Sequence, residues 1–250
     1  MKSIFYLLFL NTFFICTIQA QENAVVEINP FADARFNYFK KTVILFNEFL
    51  NTDAGSFNTT DLRILQPIGN KAWTLRLDIP LISTNSNSID KTGLGDIAFA
   101  SSYIIALNNK RGIGARAKVI SNSASNPSFG SGKWVFVPTL FYGLYLDKSG
   151  KILWLSDIEY QVSFAGPSSR NDISTSVFEN ALIYSFKKNW IGGNIAIRYN
   201  DVINGFQNSS YLEFGRKFSK ESMFYIHPSI GFGGKKSYNN GLELGLVILY

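Results

Sequence analysis

The residues best suited to catalysis lie near the end of the chain. His227, the only histidine, is two residues from Ser229, and Glu243 supplies an acid further on. A serine, a histidine and a carboxylate form the usual hydrolase triad, which makes a lipid-acting hydrolase one alternative function. The apolar residues around them alternate in sequence, so His227 and Ser229 point away from the apolar face that lipid would contact. These apolar positions are Phe224, Ile226, Pro228, Ile230 and Phe232. We therefore predict that the chain is not an enzyme.

Metal and thiol chemistry have few candidate residues. The only cysteine, Cys16, lies in an N-terminal apolar segment that we expect to be removed. One histidine and no remaining cysteine argue against the common zinc sites. The sequence therefore predicts no metal and no cofactor.

The first twenty residues are typical of an export signal. Lys2 provides the positive start, Ile4 to Ile15 is a short and mostly apolar stretch, and the small Ala20 marks the expected cleavage point. This apolar stretch is too short for a helix that crosses about 30 Å of hydrocarbon. We predict a signal peptide over residues 1–20.

Alternation of apolar and polar residues, the strand signal, recurs through the rest of the chain. Leu75 and Leu77 alternate with Arg76 and Asp78, for example. Many of these segments have ten or more residues, close to the roughly 9–11 that a tilted strand needs to cross a membrane. Residues 36–50 also fit an amphipathic helix, so the segment of the first predicted strand could be a helix instead. The twelve predicted strands are 35–48, 61–68, 72–82, 94–107, 113–122, 132–146, 152–166, 173–187, 190–202, 209–219, 223–234 and 240–250.

The breaks between strands alternate in length, with short turns at one end and longer polar loops at the other. This is the pattern of outer-membrane barrels, whose short turns face the periplasm. Because an open sheet edge is not stable in lipid, the sheet must close. The predicted fold is all-β: a closed antiparallel transmembrane β-barrel of about twelve strands, over residues 35–250, preceded by a short periplasmic segment, 21–34. The predicted loops are 51–60, 83–92, 122–131, 167–172, 203–208 and 235–239.

Composition and charge agree with a barrel in lipid. Charged residues make up 17% of the chain and hydrophobic residues 46%. The formal charge is +6, but there is no run of five Lys or Arg, so we predict no nucleic-acid partner.

Polar residues on the strand faces opposite the apolar ones are predicted to line the barrel lumen. They either pair with one another and hydrate the lumen, or form a pore lining that selects solutes. Barrels of eight strands have an interior filled by side chains, and barrels of sixteen strands have an open aqueous channel. The interior of a twelve-stranded barrel is intermediate in width, which favours a narrow or partly plugged passage. The predicted lumen residues are Arg76, Asp78, Arg116, Lys118, Asp157, Glu159, Glu179, Arg198, Glu213, Lys217, His227 and Glu243.

Three stretches together resemble a known family. They are the hairpin around Leu75 to Pro80 with Leu65-Gln66-Pro67 before it, the element Thr92-Gly93-Leu94-Gly95-Asp96-Ile97, and Gly130-Ser131-Gly132-Lys133-Trp134 leading into Pro138. This set resembles the outer-membrane barrel family named for the meta-pathway of phenol degradation. In 122–131 the sequence departs from the family's usual Pro-Thr-Gly-type segment. The resemblance implies passage of small hydrophobic or aromatic compounds.

The expected function is a passive outer-membrane channel or transporter for small hydrophobic or aromatic molecules. Besides a hydrolase, the alternative is a non-conducting structural barrel that presents its loops outside the cell. The expected partners are outer-membrane lipid, a small apolar solute, and the barrel-insertion machinery, which would recognise a last strand that ends on the aromatic Tyr250. The expected location is the bacterial outer membrane.

Overall fold

The fold is described from a computed structural model, which covers residues 29–32, 37–86 and 89–250. The predicted signal peptide, residues 1–20, lies outside the described residues, as does most of the segment 21–34. No helix in the described ranges is long and apolar enough to cross a membrane. The strands are β1 (Thr42–Thr52), β2 (Gly55–Ile68), β3 (Trp73–Ser86), β4 (Ile89–Leu94), β5 (Ala98–Leu107), β6 (Arg111–Ile120), β7 (Trp134–Tyr145), β8 (Ile152–Ala165), β9 (Ser174–Phe186), β10 (Asn189–Asn200), β11 (Gly205–Phe206), β12 (Asn208–Lys217), β13 (Ser222–Phe232) and β14 (Asn240–Leu249).

These strands form one closed antiparallel barrel with twelve positions in its wall. Each strand pairs with its neighbours in sequence, and β14 pairs with β1 from Thr42↔Leu249 to Asn51↔Asn240, which closes the sheet. The short strands β4 and β11 pair with β3 and β10 beyond the main wall, so they add no position. The prediction of a closed twelve-stranded antiparallel barrel is confirmed.

The first predicted strand is a strand and not a helix, but it begins at Thr42 and not at residue 35. Two predicted loops are wrong. Residues 51–60 hold only a tight turn, because β1 and β2 pair as far as Thr52↔Gly55, and β3 and β4 form a hairpin within 83–92. In both places the outward side chains are polar because the strands extend beyond the apolar band. Asn58, for example, faces outward and accepts a hydrogen bond from Asn47 of the neighbouring strand at 2.7 Å.

The two faces of the barrel wall differ in polarity. Outward-facing side chains are apolar and exposed, as with Leu75, Phe99 and Ile158. Aromatic rings meet in pairs on this surface near the strand ends, as with Trp73–Tyr103 and Trp134–Phe164. An outward apolar band flanked by aromatic residues is the surface that outer-membrane barrels present to lipid.

The barrel has two distinct ends. The turn end carries five short connections, over residues 69–72, 108–110, 146–151, 187–188 and 218–221, together with residues 29–32, residues 37–41 and Tyr250. The loop end carries the remaining connections, the longest being 121–133.

The carboxylate of Asp96 organises this long loop. Asp96 follows β4, and its two oxygens accept the backbone N–H groups of Ser123, Ala124 and Ser131 at 2.8–3.1 Å. Gly130 packs against the same carboxylate, where a Cβ would overlap it. The Gly-Leu-Gly-Asp element and the Gly-Ser-Gly stretch, which are far apart in sequence, therefore form one structural unit.

A second loop strengthens this unit. Arg170 donates hydrogen bonds to the carbonyl oxygens of Pro127, Gly130 and Ser131. Nearby, the Lys133 ammonium contacts Asp172 at 2.8 Å, and this hydrogen bond holds the pKa of the Asp172 carboxyl below its usual range.

Inside the turn end, glycines on the wall make room for aromatic rings. A Cβ at Gly215 would overlap the indole of Trp190, and one at Gly245 would overlap the ring of Tyr225. These rings lie in a buried apolar cluster contributed by seven strands, in which Leu153 and Val247 are fully buried. Close-packed interiors do not accept an added methyl group without strain.

We predict that Gly215→Ala lowers the free energy of unfolding by about 1–3 kcal/mol, the usual range for overpacking. Gly234→Ala is the matched control, because a Cβ there meets nothing within 4 Å. Urea unfolding in lipid vesicles, monitored by tryptophan fluorescence, measures the stability of both variants. Equal midpoints would contradict the packing described for Trp190.

We also predict that Asp96→Ala loosens the 121–133 loop, because three backbone N–H groups lose their acceptor. Chymotryptic cleavage after Phe129, which is buried within this loop, should become about tenfold faster, since local opening exposes it to the protease. Asp90→Ala, at an exposed position of β4, is the control and should leave the cleavage rate unchanged. An unchanged rate in the Asp96 variant would mean that the carboxylate does not hold the loop.

Candidate functional site: a charged cavity in the barrel lumen

The inward faces of the strands enclose a cavity of about 490 Å³ inside the barrel. Eleven of the twelve predicted lumen residues line it or contact residues that do. Asp78 and Glu213 lie just behind its surface, each bonded to a lining residue. Lys217 also faces inward but lies at the last position of β12, next to the turn end, and does not line the cavity. The lining residues from the prediction are Arg76, Arg116, Lys118, Asp157, Glu159, Glu179, Arg198, His227 and Glu243.

One wall of the cavity is formed by β2, β3, β5 and β6 and carries four cations. The Asp78 carboxylate bridges two of them, accepting from Arg63 Nε at 2.8 Å and from Arg76 at 2.5–2.9 Å. The side chain of Asp78 is only 9% exposed, so the three charges depend on one another for pairing. Behind them Asp61 is also buried, and one of its carboxylate oxygens has no hydrogen-bond partner within the described residues.

The other two cations of this wall are Arg116 and Lys118 on β6. Arg116 contacts Glu159 at 3.1 Å and Thr139 at 3.3 Å, and Gln161 donates to the other oxygen of Glu159. Between β3 and β6, strand β5 turns small side chains inward, Ala98, Ala100 and Ser102. These small residues leave a recess that the long cationic side chains can occupy.

The opposite wall is formed by β8, β9, β10, β14 and β1 and is acidic. Asp157 lies directly across from Glu179 in the strand register, and Glu48 lies across from Glu243. Glu179 accepts a hydrogen bond from Asn194 at 2.6 Å, and Arg198 is 3.8 Å from it. Like charges directly opposite each other destabilise a sheet, so this wall favours a cation in the cavity.

His227 lies in the middle of a buried network. Its Nε2 atom is 2.8 Å from Glu213, its Nδ1 atom is 3.5 Å from Glu243, and the rings of Tyr211 and Tyr225 stack on its two faces at 4.5 Å. Trp190 donates a hydrogen bond to the other oxygen of Glu213. The histidine is therefore fixed in position by carboxylates and aromatic rings.

This geometry does not favour the hydrolase alternative. A general base needs a free nitrogen within reach of the serine hydroxyl. Both ring nitrogens of His227 face carboxylates, whereas Ser229 lies across from Tyr211 and Gly241 in the strand register.

The floor of the cavity is apolar and lies at the turn end. Part of it is the cluster around Leu153, Trp190 and Val247, with Phe46, Leu65 and Leu155 packed against it. The rest is an N-terminal plug, which we define as residues 29–32 and 37–40.

The plug is packed inside the barrel. Phe31 is 1% exposed and contacts the rings of Tyr38 and Phe141 at 5.6 and 5.2 Å. Gly112 and Gly143 provide the space for it, because a Cβ at either position would meet Phe31. Hydrogen bonds tie it to the wall: Tyr145 donates to the Asn29 carbonyl at 3.2 Å, Thr74 donates to the Tyr38 carbonyl at 2.8 Å, and Thr42 donates to the Lys40 carbonyl at 3.0 Å.

Sequence reasoning missed several members of the site. Asp61 and Arg63 both face inward on β2. Polar residues beside them interrupt the alternation of apolar and polar side chains that would have indicated this. The inward position of Glu48 was missed because its segment, residues 36–50, also fits an amphipathic helix. The plug residues Phe31 and Tyr38 precede the strands and carry no periodic signal that could place them inside.

Known structures share this fold. An outer membrane channel from Pseudomonas putida F1 has a TM-score of 0.68 at 13% identity, over 84% of this chain and 96% of that chain. The KdgM porin has a TM-score of 0.58 at 13% identity, over 84% and 99% of the two chains. A second structure of this porin, in complex with disordered oligogalacturonate, has a TM-score of 0.57 at 14% identity, with the same coverage. The chain thus has the fold of an outer-membrane β-barrel, like two proteins described as a channel and a porin.

No protein-family profile matches the chain, and no curated protein does so. The resemblance to the phenol-degradation barrel family therefore stays a prediction.

We predict that Asp78→Asn destabilises the barrel by about 3 kcal/mol, because the remaining amide leaves two adjacent guanidinium groups without their shared counter-ion. Urea unfolding in lipid vesicles measures the change. Asp90→Asn is the control, since Asp90 is exposed on β4. Equal stability of the two variants would show that other groups pair Arg63 and Arg76.

Proposed function

We propose that the chain is a channel of the bacterial outer membrane for passive diffusion of small solutes, with small aromatic compounds as the solute class. The observation that carries the proposal is the cavity inside a closed barrel, whose polar walls end on a floor of aromatic rings. Outward apolar side chains would contact the membrane lipid. The last strand, β14, with the exposed Tyr250 directly after it, would be the segment that the insertion machinery recognises.

The proposed solute class follows from the two kinds of surface in the cavity. The charged walls keep the space hydrated, while Phe31, Tyr38 and Phe141 offer ring faces and edges to an aromatic molecule. Tyr38 and Phe141 are stacked, with centroids 5.2 Å apart and planes at 12°. Pockets of roughly 300–1,000 Å³ with an apolar surface and a few polar groups are typical of small-molecule sites.

The plug determines whether a solute can leave at the turn end, which would face the periplasm. Phe31 fills the space between β6 and β7, so a solute passes only when the plug shifts. Such a shift breaks hydrogen bonds to the wall, each of which contributes about 1 kcal/mol, and exposes the buried ring of Phe31. We therefore propose that the N-terminal plug gates the channel.

A second candidate function is a non-conducting barrel that presents its loops outside the cell. The observation in its favour is the same floor, because the buried cluster and the plug together cover most of the wall strands at the turn end. Conductance separates the two candidates.

We predict that refolded mature protein produces conductance steps in planar lipid bilayers and that millimolar phenol reduces them, whereas xylose at the same concentration does not. Phe31→Ala should raise the conductance at least about twofold, because it removes the side chain that narrows the bore. Phe49→Ala is the matched control, since Phe49 faces outward and is 43% exposed.

Absence of steps from both the wild type and Phe31→Ala would overturn the channel proposal. Heat-shifted gel mobility must first show that both proteins are folded. The non-conducting barrel that presents its loops outside the cell would then be the better-supported function.

A further inference from the structure

The turn end of the barrel carries almost only positive charge on its surface. Eleven exposed Lys and Arg side chains lie in its turns or on strand residues next to them, and we call this set the basic rim. Within the described part of the chain, the carboxylate side chains at this end are Asp147 and Glu221. Eleven cations against two carboxylates leave an excess of nine positive charges. The basic rim consists of the Lys and Arg residues at 40–41, 71, 110–111, 148–151, 187–188, 216 and 220.

The loop end has no such excess in the ranges that the structure describes. Its charged side chains, at positions 53, 90–96, 133, 170–172, 201 and 235–236, are five cations and five carboxylates. Two of these cations are also bonded in place, since Lys133 contacts Asp172 and Arg170 donates to loop carbonyl groups. The positive charge therefore belongs to one end of the barrel and is not a property of its whole surface.

The basic rim surrounds the barrel. Each of the five short turns contains at least one of its members, and Lys40 and Lys41 add the seam where Tyr250 donates to the Lys41 carbonyl. The turns join successive pairs of wall strands, so one such place lies at every second junction between strands. A rim of this kind meets whatever surrounds the barrel on all sides, whereas a docking site for one protein would occupy one sector.

The members of the basic rim form no ion pair with any carboxylate in residues 29–32, 37–86 and 89–250. Asp147 is committed to its own turn, where its carboxylate accepts the backbone N–H groups of Lys151 and Ile152 at 2.9 and 2.8 Å. Like charges along one rim repel one another, and anions outside the protein relieve that repulsion. The rim thus favours an anionic neighbour.

Aromatic side chains place the basic rim at the level of the lipid headgroups. Outward rings stack in pairs next to it, Tyr184 with Phe186 and Phe218 with Phe224. Arg216 lies across from Phe224 in the register, and its side chain is exposed on the outward face. Aromatic residues of barrels form girdles at the membrane–water boundary, and long basic side chains extend from there to the headgroups. The cations therefore lie at the depth of the lipid phosphates.

We propose that the basic rim binds the phosphate groups of anionic glycerophospholipids in the leaflet around the turn end. A phosphatidylglycerol headgroup has a net negative charge that a Lys or Arg side chain neutralises, whereas the phosphate of phosphatidylcholine is already paired with its own ammonium. The continuous distribution of the cations favours lipid over an acidic protein, because lipid surrounds the barrel at every strand junction. The inference uses the membrane location in the proposed function and is independent of whether the barrel conducts.

Spin-labelled lipids test the proposal. Refolded mature protein is placed in phosphatidylcholine vesicles that carry a trace of labelled phosphatidylglycerol or labelled phosphatidylcholine, and electron paramagnetic resonance measures the label immobilised at the protein perimeter. We expect at least about threefold preference for phosphatidylglycerol, the order of effect of basic residues near an anionic lipid surface. Salt at about 1 M, which shortens the screening length to about 3 Å, should remove most of this preference.

Two triple variants locate the preference, because each removes three exposed cations and lowers the net charge equally. The turn-end variant should reduce the preference at least about twofold, and the loop-end variant should leave it unchanged. The turn-end variant is Arg111→Gln, Lys188→Gln and Arg216→Gln. The loop-end control is Lys91→Gln, Lys235→Gln and Lys236→Gln.

Equal immobilisation of the two labels by the wild type would refute the proposal, and this result needs no variant to fold. An equal loss of preference in both triple variants would also refute it, because net charge and not the basic rim would then decide. Soluble polyglutamate that binds the wild type in phosphatidylcholine vesicles, without any lipid preference, would assign the rim to an acidic protein instead.

The proposed channel stands or falls separately. Conductance steps from a protein without lipid preference would refute only the lipid inference. Lipid preference in a folded protein without conductance would support the lipid inference and refute only the channel.

Discussion

Closure of the sheet between β14 and β1 is the constraint on which the rest of the structure depends. Backbone N–H and C=O groups have no water to bond with in hydrocarbon, so each wall strand must have a partner on both sides. The ten paired positions from Thr42 to Asn51 meet this need, and Tyr250 extends the seam by donating to the Lys41 carbonyl. Closure also creates an interior, and strand alternation then sends every second side chain into it.

The interior is divided along the barrel axis. Toward the turn end the inward positions are apolar and packed with aromatic rings, and above them lie rows of charged residues that mostly pair across neighbouring strands. The division explains how a barrel of this size can be both stable and hollow. The packed end contributes apolar burial, while ion pairs such as Asp78 with Arg63 and Arg76 hold the hollow part open.

Period-two alternation predicted the closed barrel and assigned the twelve proposed lumen residues to one strand face, because a strand has only two faces. It did not predict where strands end. Near the loop end the outward positions of the segment Gly55 to Thr60 are polar because they lie beyond the lipid, and the sequence of such a segment resembles that of a loop. The plug could not be predicted either. Phe31 is held in place by the space that Gly112 and Gly143 leave in the wall, and no local sequence pattern indicates this contact. Pairing between charges depends on neighbours from different strands, which no single segment reveals.

The glycine–ring contacts have a consequence for how such a sequence can evolve. Gly215 with Trp190, Gly245 with Tyr225, and Gly114 with Phe141 each join a missing side chain on one strand to a large one on another. A larger residue at the glycine is compatible only with a smaller ring. Mutational paths between related barrels would therefore pass through paired exchanges, and the two positions of each pair would carry correlated substitutions even though they are far apart in the chain.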